Sequence, residues 1–145
     1  MFKHILIPTD GSDLSRKAVL YGVQLAKASG AKVTALTIAE PYRVASMDAM
    51  LVSIGEDEYD EESRRISDRA LEQVKMAAEA AGVPCETIRE VHDQPYRAIV
   101  DAAHALGSDL IVMASHGRRG LSALLLGSET VKVLTHSTTP VLVYR

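Results

Sequence analysis

The sequence predicts an α/β protein: one open, five-stranded parallel sheet in the order 3-2-1-4-5, with helices on both faces. Three observations carry that expectation. Strand-like and helix-like segments alternate from end to end, the pattern that makes strands parallel and lays helices over them. Two strand segments are almost continuously apolar, as strands covered on both faces are. A third is charged and suits a sheet edge.

Each element has its own signal. Residues 3–8 (KHILIP) read as a short buried strand. The turn PTDGSD follows, and Ser12 or Asp13 can cap a helix there. Leu14, Ala18, Tyr21, Gly22, Leu25 and Ala28 recur at helical spacing, and Gly30 stops the run. Residues 32–39 (KVTALTIA) are rich in β-formers and read as strand two. Residues 40–56 are irregular yet apolar, with Met47, Met50, Leu51, Val52 and Ile54, and read as a cover or a contact surface. A long helix is expected from Asp57 to Ala81, its stripe made by Ile66, Ala70, Val74, Ala77 and Ala81, with Gly82 ending it. Residues 84–91 (PCETIREV) form the charged third strand.

Pro95 suits the first turn of the next helix, whose stripe is Tyr96, Ile99, Val100, Ala103 and Leu106. Residues 109–114 (DLIVMA) read as a central strand. A glycine-containing loop follows, then a helix from Gly127 to Thr135, then a last strand over 140–144 (PVLVY), with Pro140 at its start. The first and fourth strands are the most apolar, so both should be central. With right-handed crossovers, the order 3-2-1-4-5 satisfies this. Its switch point lies between strands one and four, where open sheets bind ligands beyond the strands' carboxyl ends.

Composition narrows the function. The 145 residues show no linker and no internal repeat, so residues 1–145 read as one domain. Apolar residues make up 47% of the chain, enough for a real core. The formal net charge of -3 argues against a broad nucleic-acid surface, which needs a basic face. The lone cysteine, Cys85, cannot form an intrachain disulfide, which fits a reducing compartment. The apolar run in MFKHILIPTD is too short for a signal peptide, and no stretch approaches the roughly 20 apolar residues of a membrane span. A cytoplasmic location and no membrane partner are therefore expected.

Two segments at the switch point carry chemistry. One is Pro8-Thr9-Asp10-Gly11-Ser12. The other is Ala114-Ser115-His116-Gly117, followed by Gly127-Ser128. Glycines let backbone N–H groups approach an anion, and a helix start adds free donors and partial positive charge. Ser128 and Thr130 add hydroxyls in the first turn. From spacing alone, the same glycines also fit ordinary turns and an ordinary helix start.

With the motifs set out, the chain resembles the universal stress protein family over essentially its whole length. The nucleotide-binding branch carries G-x-x-G, nine residues, then G-[S/T]. Here that register falls on Ala114, Gly117, Gly127 and Ser128, with the nine-residue spacer RRGLSALLL intact. The opening ILIPTDGS and the closing PVLVYR look like family signatures too. One position departs: Ala114 stands at the first motif glycine. Its methyl group is mild at negative φ and costs roughly 1 kcal/mol or more at positive φ.

The resemblance implies a Rossmann-like fold of the adenine nucleotide alpha hydrolase type. It also implies ATP as ligand, or AMP or ADP, with magnesium bridging phosphate oxygens. By position, Pro8, Thr9 and Asp10 would lie beside the adenine and ribose, and Ile38 would offer backbone groups to the adenine edge. Met113 and Ala114 would line the pocket. Gly117, Gly127, Ser128 and Thr130 would hold the phosphates, with His116 beside the phosphate loop and Glu129 in the same cofactor-binding set. Bland roles stand beside these: Ile38 and Met113 are core-like whatever the ligand, and Asp10 can cap the following helix. The family commonly dimerises, and the apolar residues 140–144 at an unprotected sheet edge suit a homodimer through the last strand.

The implied role is a nucleotide-responsive binding protein in the stress response, with a protein partner the sequence does not identify. A slow ATPase and a nucleotide-free dimeric scaffold are the alternatives. No G-x-x-x-x-G-K-[S/T] occurs, so no Walker lysine is available. His4, His92, His104, His116 and His136 show no metal-ligand spacing. Ser12, Asp10 and His116 do not by themselves establish a triad, and no catalytic residue is assigned. Arg118 and Arg119 suit phosphate, a partner or plain solvation. A flavodoxin-like electron carrier fits poorly, because one Phe and no Trp leave few aromatics to sandwich a flavin.

Overall fold

The structure, a computed structural model, describes residues 1–45, 55–118 and 125–145. The apolar segment from Met47 to Ile54, together with Arg119 and Gly120, lies outside the described residues. The elements run β1 (His4–Pro8), α1 (Asp13–Ser29), β2 (Lys32–Ala39), α2 (Tyr42–Ala45), α3 (Glu56–Ala81), β3 (Cys85–Val91), α4 (Pro95–Leu106), β4 (Leu110–Ala114), α5 (Ser128–His136) and β5 (Val141–Tyr144). The sheet order is β3-β2-β1-β4-β5, all parallel, as the alternation and strand polarity predict. β1 and β4 are buried at every position, and β3 is only partly buried.

Two cores sandwich the sheet. Ile5, Ile7, Val33, Ala35 and Val112 meet Val19 and Val23 of α1 and Leu71 and Val74 of α3. Leu6, Leu36, Ile111 and Met113 meet Ile99 and Ala103 of α4 and Val133 of α5. Alternation along each strand sends successive side chains to opposite cores. Gly22 lets α1 lie close on the sheet: a Cβ there would stand 2.7 Å from Ile7 Cδ1.

Three local readings shift. Ser12, not Asp13, caps α1, its Oγ accepting from Ser15 N. The buried face of α1 is Ser15, Ala18, Val19, Gly22, Val23 and Ala26, which leaves Tyr21 exposed. In α3 the buried face is Ser67, Ala70, Leu71, Val74 and Ala78, and Ile66 is 40% exposed. Both helices carry apolar residues on more than one face, so periodicity alone left the facing angle open. Among the described residues, no helix is long and apolar enough to cross a membrane.

At the amino ends of the strands, His4 is buried. Its Nε2 lies 2.7 Å from Thr34 Oγ1 and its Nδ1 lies 3.3 Å from the Leu106 carbonyl oxygen. The carbonyl can only accept, so Nδ1 carries the proton and the Thr34 hydroxyl donates to Nε2. Burial, and secondarily the charge of Lys32, hold the imidazole pKa below its ordinary value, against the pull of the Leu106 carbonyl, Asp109 and Glu86. The unfolded chain then binds more protons than the fold once pH drops below about 6.5. Stability is expected to fall as pH is lowered from 7 through that window, and His4→Gln should flatten the slope there. Urea midpoints measured against pH check this; equal slopes in both proteins would refute it.

Candidate functional site

The carboxyl ends of β1, β2 and β4 open into a cleft of about 620 Å³. Chain reversal at the switch point creates it: the β1 loop leads to α1 on one face, and the β4 loop leads to α5 on the other. Asp10 ties the two loops together. Its Oδ1 accepts from Ser12 N at 2.9 Å and its Oδ2 from Arg118 N at 2.7 Å. Its carbonyl oxygen accepts from Arg118 Nε at 2.8 Å. Burial alone would raise the Asp10 pKa. Hydrogen bonds from Ser12, the Arg118 N–H and the Ser15 hydroxyl outweigh burial and hold it below the ordinary carboxylate value. The carboxylate is therefore charged and fixed at neutral pH.

Gly117 sits against this carboxylate: a Cβ there would overlap Asp10 Oδ2. A Cβ on Gly127 would come within 3.2 Å of the Ser115 carbonyl oxygen and of His116 Cα. Neither glycine has positive φ, so what a side chain would meet at each is crowding and not backbone strain. The departure at Ala114 is likewise resolved. No non-glycine among the described residues has positive φ, so the Ala114 methyl brings no backbone strain.

α5 starts hard against the end of β4. Gly127 N donates to the Ser115 carbonyl at 2.7 Å. The Thr130 hydroxyl donates to the carbonyls of Ala114 and Ser115, at 3.1 and 3.0 Å. Its N-cap residue, Gly127, has no side chain with which to cap it. The first-turn N–H groups have no intrahelical acceptor, a geometry that suits an anion. The Glu129 carboxylate does not fill that role: it accepts from Tyr96 N at 2.8 Å and so caps α4. His116 Nδ1 lies 3.3 Å from Ser115 Oγ.

The twelve residues singled out from the sequence (Pro8, Thr9, Asp10, Ile38, Met113, Ala114, His116, Gly117, Gly127, Ser128, Glu129 and Thr130) all line this one cleft. The hydroxyl proton of Thr130 and one oxygen of Glu129 are committed to the scaffold. Sequence reasoning missed the α3 wall, where Tyr59, Glu62, Ser63, Ile66, Ser67 and Ala70 face the same space, and Thr37 on β2. Serines four apart in an otherwise charged helix were the available signal.

A family model described as "Universal stress protein family" matches residues 1–145. The chain belongs to the universal stress protein family. The universal stress protein YxiE of Bacillus subtilis is 36% identical over 149 residues, covering all of both chains. Among solved structures, the hypothetical protein MJ0577 of Methanocaldococcus jannaschii superposes with a TM-score of 0.73 at 30% identity, covering 99% of this chain and 96% of that one. A universal stress protein in complex with cAMP superposes with a TM-score of 0.73 at 29% identity, covering 99% and 97%. Universal stress proteins are thus this chain's relatives in both sequence and fold.

Proposed function

We propose that the cleft binds an adenine nucleotide, ATP with magnesium, and that the protein works as a nucleotide-responsive stress or signalling protein. One observation carries this reading. The loop after β1 and the start of α5 converge on one cavity, and a side chain on either glycine that borders it would crowd its neighbours. The free N–H groups at the start of α5 suit phosphate oxygens. Pro8, Ile38 and Met113 give the same cavity an apolar wall suited to a base. The cAMP complex of a relative at 29% identity supports an adenine-bearing ligand. Among the described residues, no group of three or more His, Cys, Asp or Glu could hold a metal ion. The magnesium would ride on the phosphates themselves.

Mass spectrometry of the natively purified protein tests the reading, with a retained adenine nucleotide as the expected result. No nucleotide there, and no heat of ATP binding by calorimetry, would sink it. Turnover is expected to be negligible. Asp10 is held by N–H donors, and no Walker lysine is present. Sustained hydrolysis at the enzyme scale of roughly 1 per second or faster would contradict this. The same proposal includes a cytoplasmic location and a homodimer through the open edge of β5.

A further inference from the structure

The cleft is lined from both faces of the sheet, and each side is here a lobe. Val33 and Ala35 of β2 pack into the α1/α3 core, while Leu36 and Ile38 pack toward α4 and α5. Ile38 therefore belongs to the lobe proposed for the nucleotide. By alternation Thr37 belongs to the other lobe, with Ser63 and Ser67 of α3. Thr37 pairs with Arg89 across the β2–β3 ladder. The Arg89 guanidinium donates from Nε to Ser67 Oγ at 3.2 Å and from Nη2 to Ser63 Oγ at 3.1 Å. The nucleotide role proposed above uses none of these groups.

Their hydrogen bonds do not close. Each serine oxygen accepts from Arg89, and its own proton has no acceptor among the described residues. The Thr37 hydroxyl is buried and has no partner among the described residues. Thr37 and Ser67 are only 4% and 5% exposed, where an unmade hydrogen bond is costly. Among the described residues, Arg89 also has no carboxylate within ion-pair distance. The acidic groups around the lobe are otherwise engaged: Glu62 pairs with Arg65, Asp10 accepts from Ser12 and Arg118, and Glu40 has an interaction of its own. Three hydroxyl donors backed by an unneutralised cation match an acceptor that carries negative charge.

We propose that this α3-side lobe binds an oxyanion, a phosphate or carboxylate group, on the hydroxyls of Thr37, Ser63 and Ser67 with Arg89 behind them. The proposal rests on the nucleotide reading only in leaving the opposite lobe to that ligand. Titration of the ¹⁵N-labelled full chain with inorganic phosphate, and separately with acetate, tests it by NMR. Saturable shifts are expected at the Thr37, Ser63 and Ser67 amides and at Arg89 Nε–H. The double variant Ser63→Ala, Ser67→Ala keeps good helix formers in α3 and should weaken that binding at least tenfold. Its Gly117 and Gly127 shifts with ATP should stay as in the parent. ATP moving Ser63 and Ser67 as phosphate does would make the nucleotide's own tail the oxyanion. Three results would overturn the proposal: no saturable shift at these residues with either anion, shifts confined to Gly117, Gly127 and Ser128, or equal affinity in the double variant. ATP that leaves Gly117 and Gly127 unmoved would instead defeat the nucleotide reading, and the phosphate shifts on α3 would stand independently.

Discussion

Valine in place of Gly117 or Gly127 is expected to lower ATP affinity by about a hundredfold or more, ~2.7 kcal/mol, and to leave the fold in place. The two sites fail for different reasons. At Gly117 the new Cβ would overlap Asp10 Oδ2. That oxygen accepts from Arg118 N, and its twin accepts from Ser12 N. Hydrogen bonds to a charged group are worth about 1.5–3 kcal/mol each, so the carboxylate does not swing aside freely. The loop after β4 would have to back away from the loop after β1, opening the site between them. At Gly127 the obstacle is backbone, the Ser115 carbonyl and His116 Cα. Relief there moves the start of α5 off the end of β4 and carries its free N–H groups out of register with the cleft. Both glycines lie outside the two buried cores, so thermal unfolding should shift by only a few degrees. Calorimetry with ATP decides the matter. Unchanged affinity in both variants would put the nucleotide elsewhere.

Most of the sheet was legible because parallel strands announce themselves. LIVMA and HILIP are apolar at nearly every position, and only a strand covered on both faces is written that way. CETIREV is too polar to be central. The same continuity hid which face each side chain takes. Nothing in KVTALTIA says that Thr37 turns toward α3 while Ile38 turns toward α4; the register of the whole sheet decides it. Cleft residues were legible where they sit in the loops after β1 and β4, since glycines beside a helix start have few other uses. Those on α3 were not. Ile66 looked like core but lines the cleft, and Ser67, which the apolar stripe does not include, is buried against Arg89. A contact between residues 22 positions apart leaves no mark on the period of either element. Glu129 lines the cleft, and its bond to Tyr96 N was illegible for a similar reason: that partner lies in another helix.

Val143→Pro is expected to turn a homodimer into a monomer. β5 is an outer strand, bonded to β4 alone. The carbonyls of Pro140 and Tyr144 accept from Ile111 N of β4 and from Ser115 N just after it. In a strand, residues two apart point their backbone groups the same way, so Leu142 also faces β4. Val141 and Val143 therefore turn their N–H and carbonyl groups to the open edge. A bare edge of this kind is a template for another strand. The residues of β5 are all partly exposed, and neighbouring helices add exposed Leu20 and Tyr21 on α1 and Val131 and Leu134 on α5. A second copy related by a two-fold axis would meet this edge antiparallel and cover the apolar flank on both faces. Proline at 143 removes an outward N–H and no β4–β5 bond, so the fold should survive, as edge strands accept proline. Leu142→Lys is a harsher probe, because Leu142 also packs against the α1/α3 core. Sedimentation equilibrium at micromolar concentration reads the result. A monomeric parent protein would defeat the dimer outright, and a dimer that persists in Val143→Pro would place its interface on another surface.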